Sequence, residues 1–147
     1  MIRRLQQRRD FERLLAVPPC LRSAHFAVHY LAAGPLPSRR ALRHHRMQLL
    51  STFSSTNADE TVDNPPGQIW LGQVLPKRHA ARAVTRNLLR RQVRAAVARH
   101  EGKLAPGLWL VRLSRPFAVG DFPSAASPAL RRMAASELDQ LFARAGR

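Results

Sequence analysis

Between Lys77 and Arg99 the chain carries Lys77, Arg78, Arg82, Arg86, Arg90, Arg91, Arg94 and Arg99, and not one acid. The spacing predicts a helix over 85–100, with Leu89, Val93, Ala96 and Val97 on one face, Thr85 as N-cap and Gly102 beyond the end. On that helix Arg86, Arg90 and Arg94 fall at i, i+4 and i+8 and stack as a ridge, with Asn87 and Arg91 beside it. Like charges at this spacing repel by about a few tenths of a kcal/mol per pair, so the ridge calls for a counter-anion. The helix N-terminus adds free N–H groups and partial positive charge next to Arg86 and Asn87. Guanidinium forks match phosphate oxygens, so the chemistry on offer is phosphate binding. A solvated helix face usually mixes signs. This one does not, which points to nucleic acid.

The whole chain repeats the theme. It has 25 basic and 9 acidic residues and a net charge of +16, and only Lys77 and Lys103 among the cations are lysine. Self-repulsion opposes folding, so such a balance implies a dense polyanion as partner. A GC-rich genome inflates Arg, but does not remove acids. Those few acids form no recognisable spacing with a base or nucleophile, so the polypeptide is not expected to carry catalytic groups. The lone Cys20 excludes an internal disulfide and a Cys-based zinc site. The six His are scattered, with His44 and His45 inside a basic cluster, so no metal site is expected. No apolar run approaches the length of a membrane span. Asp10 and Glu12 in the Arg-rich start argue against an organellar presequence, and no apolar core of a secretory signal follows it. A cytoplasmic location is expected.

The elements that must hold the ridge can be read coarsely. The length of 147 residues and a 45% apolar fraction suit one domain, 1–147, built on aliphatics. Residues 4–16 read as a helix through Leu5, Phe11, Leu14 and Leu15, ended by Pro18-Pro19. Residues 24–33 alternate as a strand, with Phe26, Val28 and Tyr30 toward a core and Ala27, His29 and Leu31 on the other face. A mobile insertion is expected at about 35–66: Arg39, Arg40, Arg43 and Arg46 first, with a frayed helix at 39–50, then Asp59, Glu60 and Asp63. Ile69–Leu75 and Leu108–Leu113 read as buried strands. Ser127-Pro128 opens a last helix whose stripe is Leu130, Met133, Leu138, Leu141 and Phe142, stopped by Gly146. The expected fold class is α+β: a small sandwich of a mixed, about four-stranded sheet with about three helices.

The run Lys77-Arg78-His79-Ala80-Ala81-Arg82-Ala83-Val84-Thr85-Arg86-Asn87-Leu88-Leu89-Arg90-Arg91-Gln92-Val93-Arg94 resembles the signature of the protein subunit of bacterial ribonuclease P. That family has a basic pair after a strand, a Lys-Ala-Val-like step, and an Arg-Asn-Arg box entering a basic helix. Arg8-Arg9-Asp10-Phe11 and the strand around Phe26 are similar to the family too. Leu88 stands where the box has its third residue, Arg; Ala81 and Arg82 replace the usual Gly and Lys, and Ala95 the usual acid.

The resemblance implies an RNA-binding subunit that assists a catalytic RNA in Mg2+-dependent removal of the 5′ leader from precursor tRNA, with Mg2+ held mainly by the RNA. It implies that Lys77, Arg78, Arg82, Arg86, Asn87, Arg90, Arg91 and Arg94 bind RNA. It also implies a leader cleft using Phe11, Leu15, Phe26 and His29, with bases resting on rings. Leu15 and His29 stand where relatives often have aromatics. A left-handed βαβ crossover is implied as well, against the general right-handed rule. The partners are then the catalytic RNA and precursor tRNA, with no membrane and no obligate protein partner. The alternative is a small basic ribosomal or ribosome-assembly protein without a part in catalysis. A helix-turn-helix DNA binder is disfavoured, because the basic helix is flanked by strands.

Overall fold

A computed structural model describes residues 2–37, 39–51, 67–117 and 127–145. In chain order these form β1 (Ile2–Arg4), α1 (Arg8–Ala16), β2 (Leu21–Arg22), β3 (Phe26–Leu31), α2 (Arg39–Ser51), β4 (Ile69–Val74), α3 (Ala83–His100), a 3-10 turn (Glu101–Lys103), β5 (Gly107–Leu113) and α4 (Pro128–Ala145). The sheet has five strands in the order β1-β4-β5-β3-β2. β1, β4 and β5 are mutually parallel, β3 pairs antiparallel with β5, and β2 in turn pairs antiparallel with β3. The fold is thus α+β with a mixed sheet, as expected, with five strands where about four were expected and four helices where about three were; the strands that no apolar pattern discloses are β1 and β2. Three residues of β1 and two of β2 are too short to show an alternation. The start of the expected 4–16 helix is strand and turn, and α1 begins only at Arg8.

β5 sits in the middle and is covered on both sides, which is why it reads as a continuous apolar run. Alternation then divides the sheet. Phe26, Val28, Ile69, Leu71, Trp109, Val111 and Leu113 face α3 and α4, where Leu89, Val93, Ala96, Val97, Leu130, Leu138, Leu141 and Phe142 complete the larger core. Leu108 and Leu110 face the other way and pack with Leu5 and Leu14, with Phe11, Leu31, Trp70 and Val74 at the margin. One face thus carries two 18-residue helices and the other the nine-residue α1.

Several helix ends differ from expectation. α3 starts at Ala83 with Arg82 in the N-cap position and no capping side-chain bond, so Thr85 lies inside the first turn. Ser127 does cap α4, its Oγ accepting from the Leu130 N–H at 3.4 Å. Ala134 is buried in the α4 stripe, whereas Met133 is exposed. The expected helix at 39–50 is α2. The rest of the expected insertion, with Asp59, Glu60 and Asp63, lies outside the described residues, as does Gly146.

Candidate nucleic-acid interface

α3 buries Leu89, Val93, Ala96 and Val97 completely, and this fixes which side chains point away from the sheet. Asn87, Arg90, Arg91 and Arg94 line one wall of a groove of about 1220 Å³. Arg3, Arg4 and Gln6 line it from the N-terminal segment, Leu71, Gly72 and Gln73 from β4, and Phe11 from α1. The route follows from strand length. β1 pairs with β4 only from Ile69 to Leu71, and the Leu5 N–H adds one bond to the Leu71 carbonyl at 2.9 Å. The chain then leaves for α1 while β4 continues to Val74, so the groove reaches from the α3 wall past Gly72 to the ring of Phe11.

Local bonds order this wall. Arg90 donates to Asn87 Oδ1 at 3.2 Å, and Gln73 Nε2 donates to the Arg90 carbonyl at 3.4 Å. Arg3 lies over the Trp70 ring at 5.6 Å, a cation–π contact that steadies a cation at the rim. Gly72 is required for close approach: a Cβ there would meet Phe11 Cε1 at 2.8 Å.

Not every cation of the basic run joins the groove. Arg86 donates to the carbonyls of Ala80 and Ala81 at 2.8 and 2.9 Å and so braces the turn that enters α3. The ridge it is expected to head is therefore Asn87, Arg90, Arg91 and Arg94, one helical face. Lys77 and Arg78 are exposed on the turn closed by the His79 and Ala80 N–H groups on the Pro76 carbonyl, and Arg82 follows at the helix boundary. Arg99 pairs with Asp139 of α4 at 2.9 Å. Arg3 and Arg4 line the groove although the sequence patterns do not single them out. Their signal is the Ile-Arg-Arg triplet, hidden in what reads as the approach to a helix.

The expected leader-cleft set separates. Phe11 lines the groove and is half-buried. Leu15 is exposed on α1, outside the groove lining. Phe26 does not belong with them: it is 0% exposed, on the opposite face of the sheet, edge-on to Phe117 at 6.0 Å. It is a core residue, as its strand alternation with Val28 already indicates. His29 is on the α1 face but is 3% exposed rather than open. Its Nδ1–H donates to the Val17 carbonyl at 2.9 Å, fastening the end of α1 to β3, and its Nε2 is buried without a partner. Burial holds its pKa below the ordinary value, partly offset by the Val17 bond and reinforced by the nearby Arg112.

The described residues bring together no group of three or more His, Cys, Asp or Glu side chains, so they offer no cage for a divalent ion. No helix among them is long and apolar enough to cross a membrane.

The sequence profile of the ribonuclease P family matches residues 2–145. The chain belongs to that family. Among its relatives, the ribonuclease P protein component of Burkholderia mallei (strain SAVP1) is 43% identical over 77 residues, which is 52% of this chain and 57% of that protein. The chain thus spans little more than half the length of that relative. The component from Ralstonia pickettii (strain 12J) is 31% identical over 139 residues, 95% of this chain and 76% of its own. The solved ribonuclease P protein of Staphylococcus aureus shares the fold, with a TM-score of 0.58 at 15% identity over 97% of this chain and 94% of that one. Within the ribonuclease P family assignment, the sequence run 77–94 divides into two parts: a braced turn, and a helix face that looks into a groove.

Proposed function

We propose that this chain is the RNA-binding subunit of a ribonuclease P ribonucleoprotein, and that it assists a catalytic RNA in the Mg2+-dependent removal of the 5′ leader from precursor tRNA in the cytoplasm. The groove is what supports this reading. It has cations on two walls, Arg90, Arg91 and Arg94 from α3 and Arg3 and Arg4 from β1, and an aromatic ring at one end. Cations on both sides hold phosphates whatever the base sequence, and a ring at the end receives a base without choosing among bases. An unpaired strand can be gripped there, whereas a groove built for a duplex needs no ring. The described side chains do not fit a Mg2+ site, so the ion is assigned to the RNA, and the protein contributes binding and positioning.

Lys77, Arg78 and Arg82 are assigned to the catalytic RNA, from the exposed turn and helix start that carry them. Arg86 supports them by holding that turn in place. The leader is assigned to the groove and to Phe11.

The test is reconstitution of the full chain with a bacterial catalytic RNA and a precursor tRNA. The protein alone should cleave nothing, and the mixture should cleave at lower Mg2+ than the RNA alone. Cleavage by nuclease-treated protein without RNA, or an unchanged Mg2+ requirement, would overturn the role.

A further inference from the structure

The basic helix α2 supplies no residue to the groove lining, and the segment that leads into it is held by α1. Between β3 and α2 the chain is laid antiparallel along α1. Arg13 donates to the Gly34 carbonyl at 3.3 Å, Gln7 to the Leu36 carbonyl at 2.7 Å, and Arg9 to the Pro37 carbonyl at 3.0 Å. The Leu36 N–H donates in return to Oδ1 of Asp10 at 3.0 Å, and that carboxylate is fully buried and paired with Arg13. This network delivers Arg39 to the N-terminal end of α1. Gln6, which lines the groove, is the neighbour of Gln7, which bonds Leu36. α2 therefore starts three residues beyond the point where the chain is tied beside the Gln6 edge of the groove.

From Gly34 to Ala58 the sequence contains no acid. The 13 residues of α2 span about 20 Å. Arg39, Arg43 and Arg46 stand at i, i+4 and i+7 on one face, Arg40 and His44 beside them, and all five are exposed. Leu42 and Met47 are exposed as well and offer apolar surface to bases. A helix face of one sign, begun beside one edge of a groove read as a path for unpaired RNA, matches more of the same strand.

We propose that α2 is a second cationic rail for the leader, holding the phosphates of nucleotides farther from the cleavage site than those in the groove. This rests on the leader path proposed above. A short leader ends in the groove and never reaches α2. A long one reaches it and gains affinity, so the protein measures leader length.

The experiment uses the full chain reconstituted with catalytic RNA, mature tRNA, and precursor tRNAs with leaders of about 5 and about 15 nucleotides, a range that brackets one single-strand site. Wild type should bind the long leader more tightly than the short one. The triple variant Arg39→Ala/Arg43→Ala/Arg46→Ala should lose about tenfold on the long leader, with a log–log salt slope shallower by about 2, and nothing on the short one. The triple Arg→Lys variant keeps the charge and should keep the gain. Unchanged binding of the long leader by the Ala variant, equal losses on both leaders, or loss in the Lys variant would each overturn the proposal. If wild type binds precursor no better than mature tRNA, the groove reading itself falls. If it discriminates and the length dependence survives in the Ala variant, the rail alone is refuted.

Discussion

The two faces of the sheet are built on different principles. The face under α3 and α4 is closed by aliphatic and aromatic side chains, among them Phe26, Leu89, Leu130, Leu138, Leu141 and Phe142, all fully buried. The face under α1 is closed by one short helix, and burial there includes Asp10 and His29, each with one buried polar atom left without a partner. Burying apolar groups stabilises without conditions, whereas burying a polar one costs unless it is bonded. The first face is therefore the support that holds α3 in place. The second trades stability for a half-covered ring, a close-packed glycine and an open groove edge.

The largest expected effect tests the supporting face. Phe26→Ala removes a fully buried ring from the core beneath α3 and α4 and should cost about 3–5 kcal/mol. The melting temperature should drop markedly, and RNA affinity should fall only in proportion to the unfolded fraction, equally for precursor and mature tRNA. A folded, selectively leader-blind Phe26→Ala protein would return Phe26 to the cleft and erase the contrast between the faces.

The next effect separates the cations assigned to RNA from one that braces the protein. Replacing Arg90, Arg91 and Arg94 by Ala should reduce the log–log salt slope of RNA binding by about 0.7 to 0.9 for each phosphate that is no longer neutralised. Folding should survive, since Leu89, Val93 and Val97 are untouched. Arg86→Ala should do the reverse, lowering the melting temperature by freeing the Ala80 and Ala81 carbonyls while moving the slope little. Titrating salt in parallel for both proteins decides it. Equal slope changes would mean that Arg86 faces RNA despite its backbone bonds.

Phe11→Ala probes the α1 face directly. A base stacked on a ring contributes about 1–3 kcal/mol, so precursor tRNA should bind about ten- to a hundredfold more weakly and mature tRNA almost as before. Both affinities must be read in a variant of checked stability, because the ring also covers Gly72. Equal losses for both ligands would leave Phe11 as packing alone.

How far the sequence discloses this arrangement depends on which period sets each residue's direction. The α3 face is legible because 3.6-residue spacing fixes at once what is buried and what is outward. Asn87, Arg90, Arg91 and Arg94 follow from Leu89 and Val93. Arg86 misleads because a helix wheel does not show the carbonyls of the preceding turn. Strand alternation correctly puts Phe26 and His29 on opposite faces, but alternation does not say what covers a face. Only α1 lying over β3 turns His29 from an open side chain into a buried one. β1 is illegible for another reason: it is held by pairing with Ile69 to Leu71, 67 residues away from Ile2 in the register, and no local pattern reports such a partner. The groove's second wall, Arg3 and Arg4, is hidden with it.

His29 gives the smallest expected effect and the finest test of how dry the α1 face is. Its folded-state pKa lies below the ordinary value of about 6.5, because burial disfavours the charged ring more than the Val17 carbonyl favours it, and Arg112 opposes the charge further. In the unfolded chain the ring takes up a proton near its ordinary pKa. Between the two values the unfolded state binds more protons, so stability rises with pH across that window. The contribution is fully present above the unfolded pKa and is lost as pH falls through the folded one. His29→Asn keeps a donor for the Val17 carbonyl and removes the titration. Urea midpoints measured from about pH 7 down to about pH 5 should fall less steeply in the variant than in wild type. His25, paired with Glu137 at 2.7 Å, and His100 are present in both proteins, so the difference between the two curves isolates His29. Parallel curves would mean that water reaches Nε2 and that the α1 face is as open as the groove beside it.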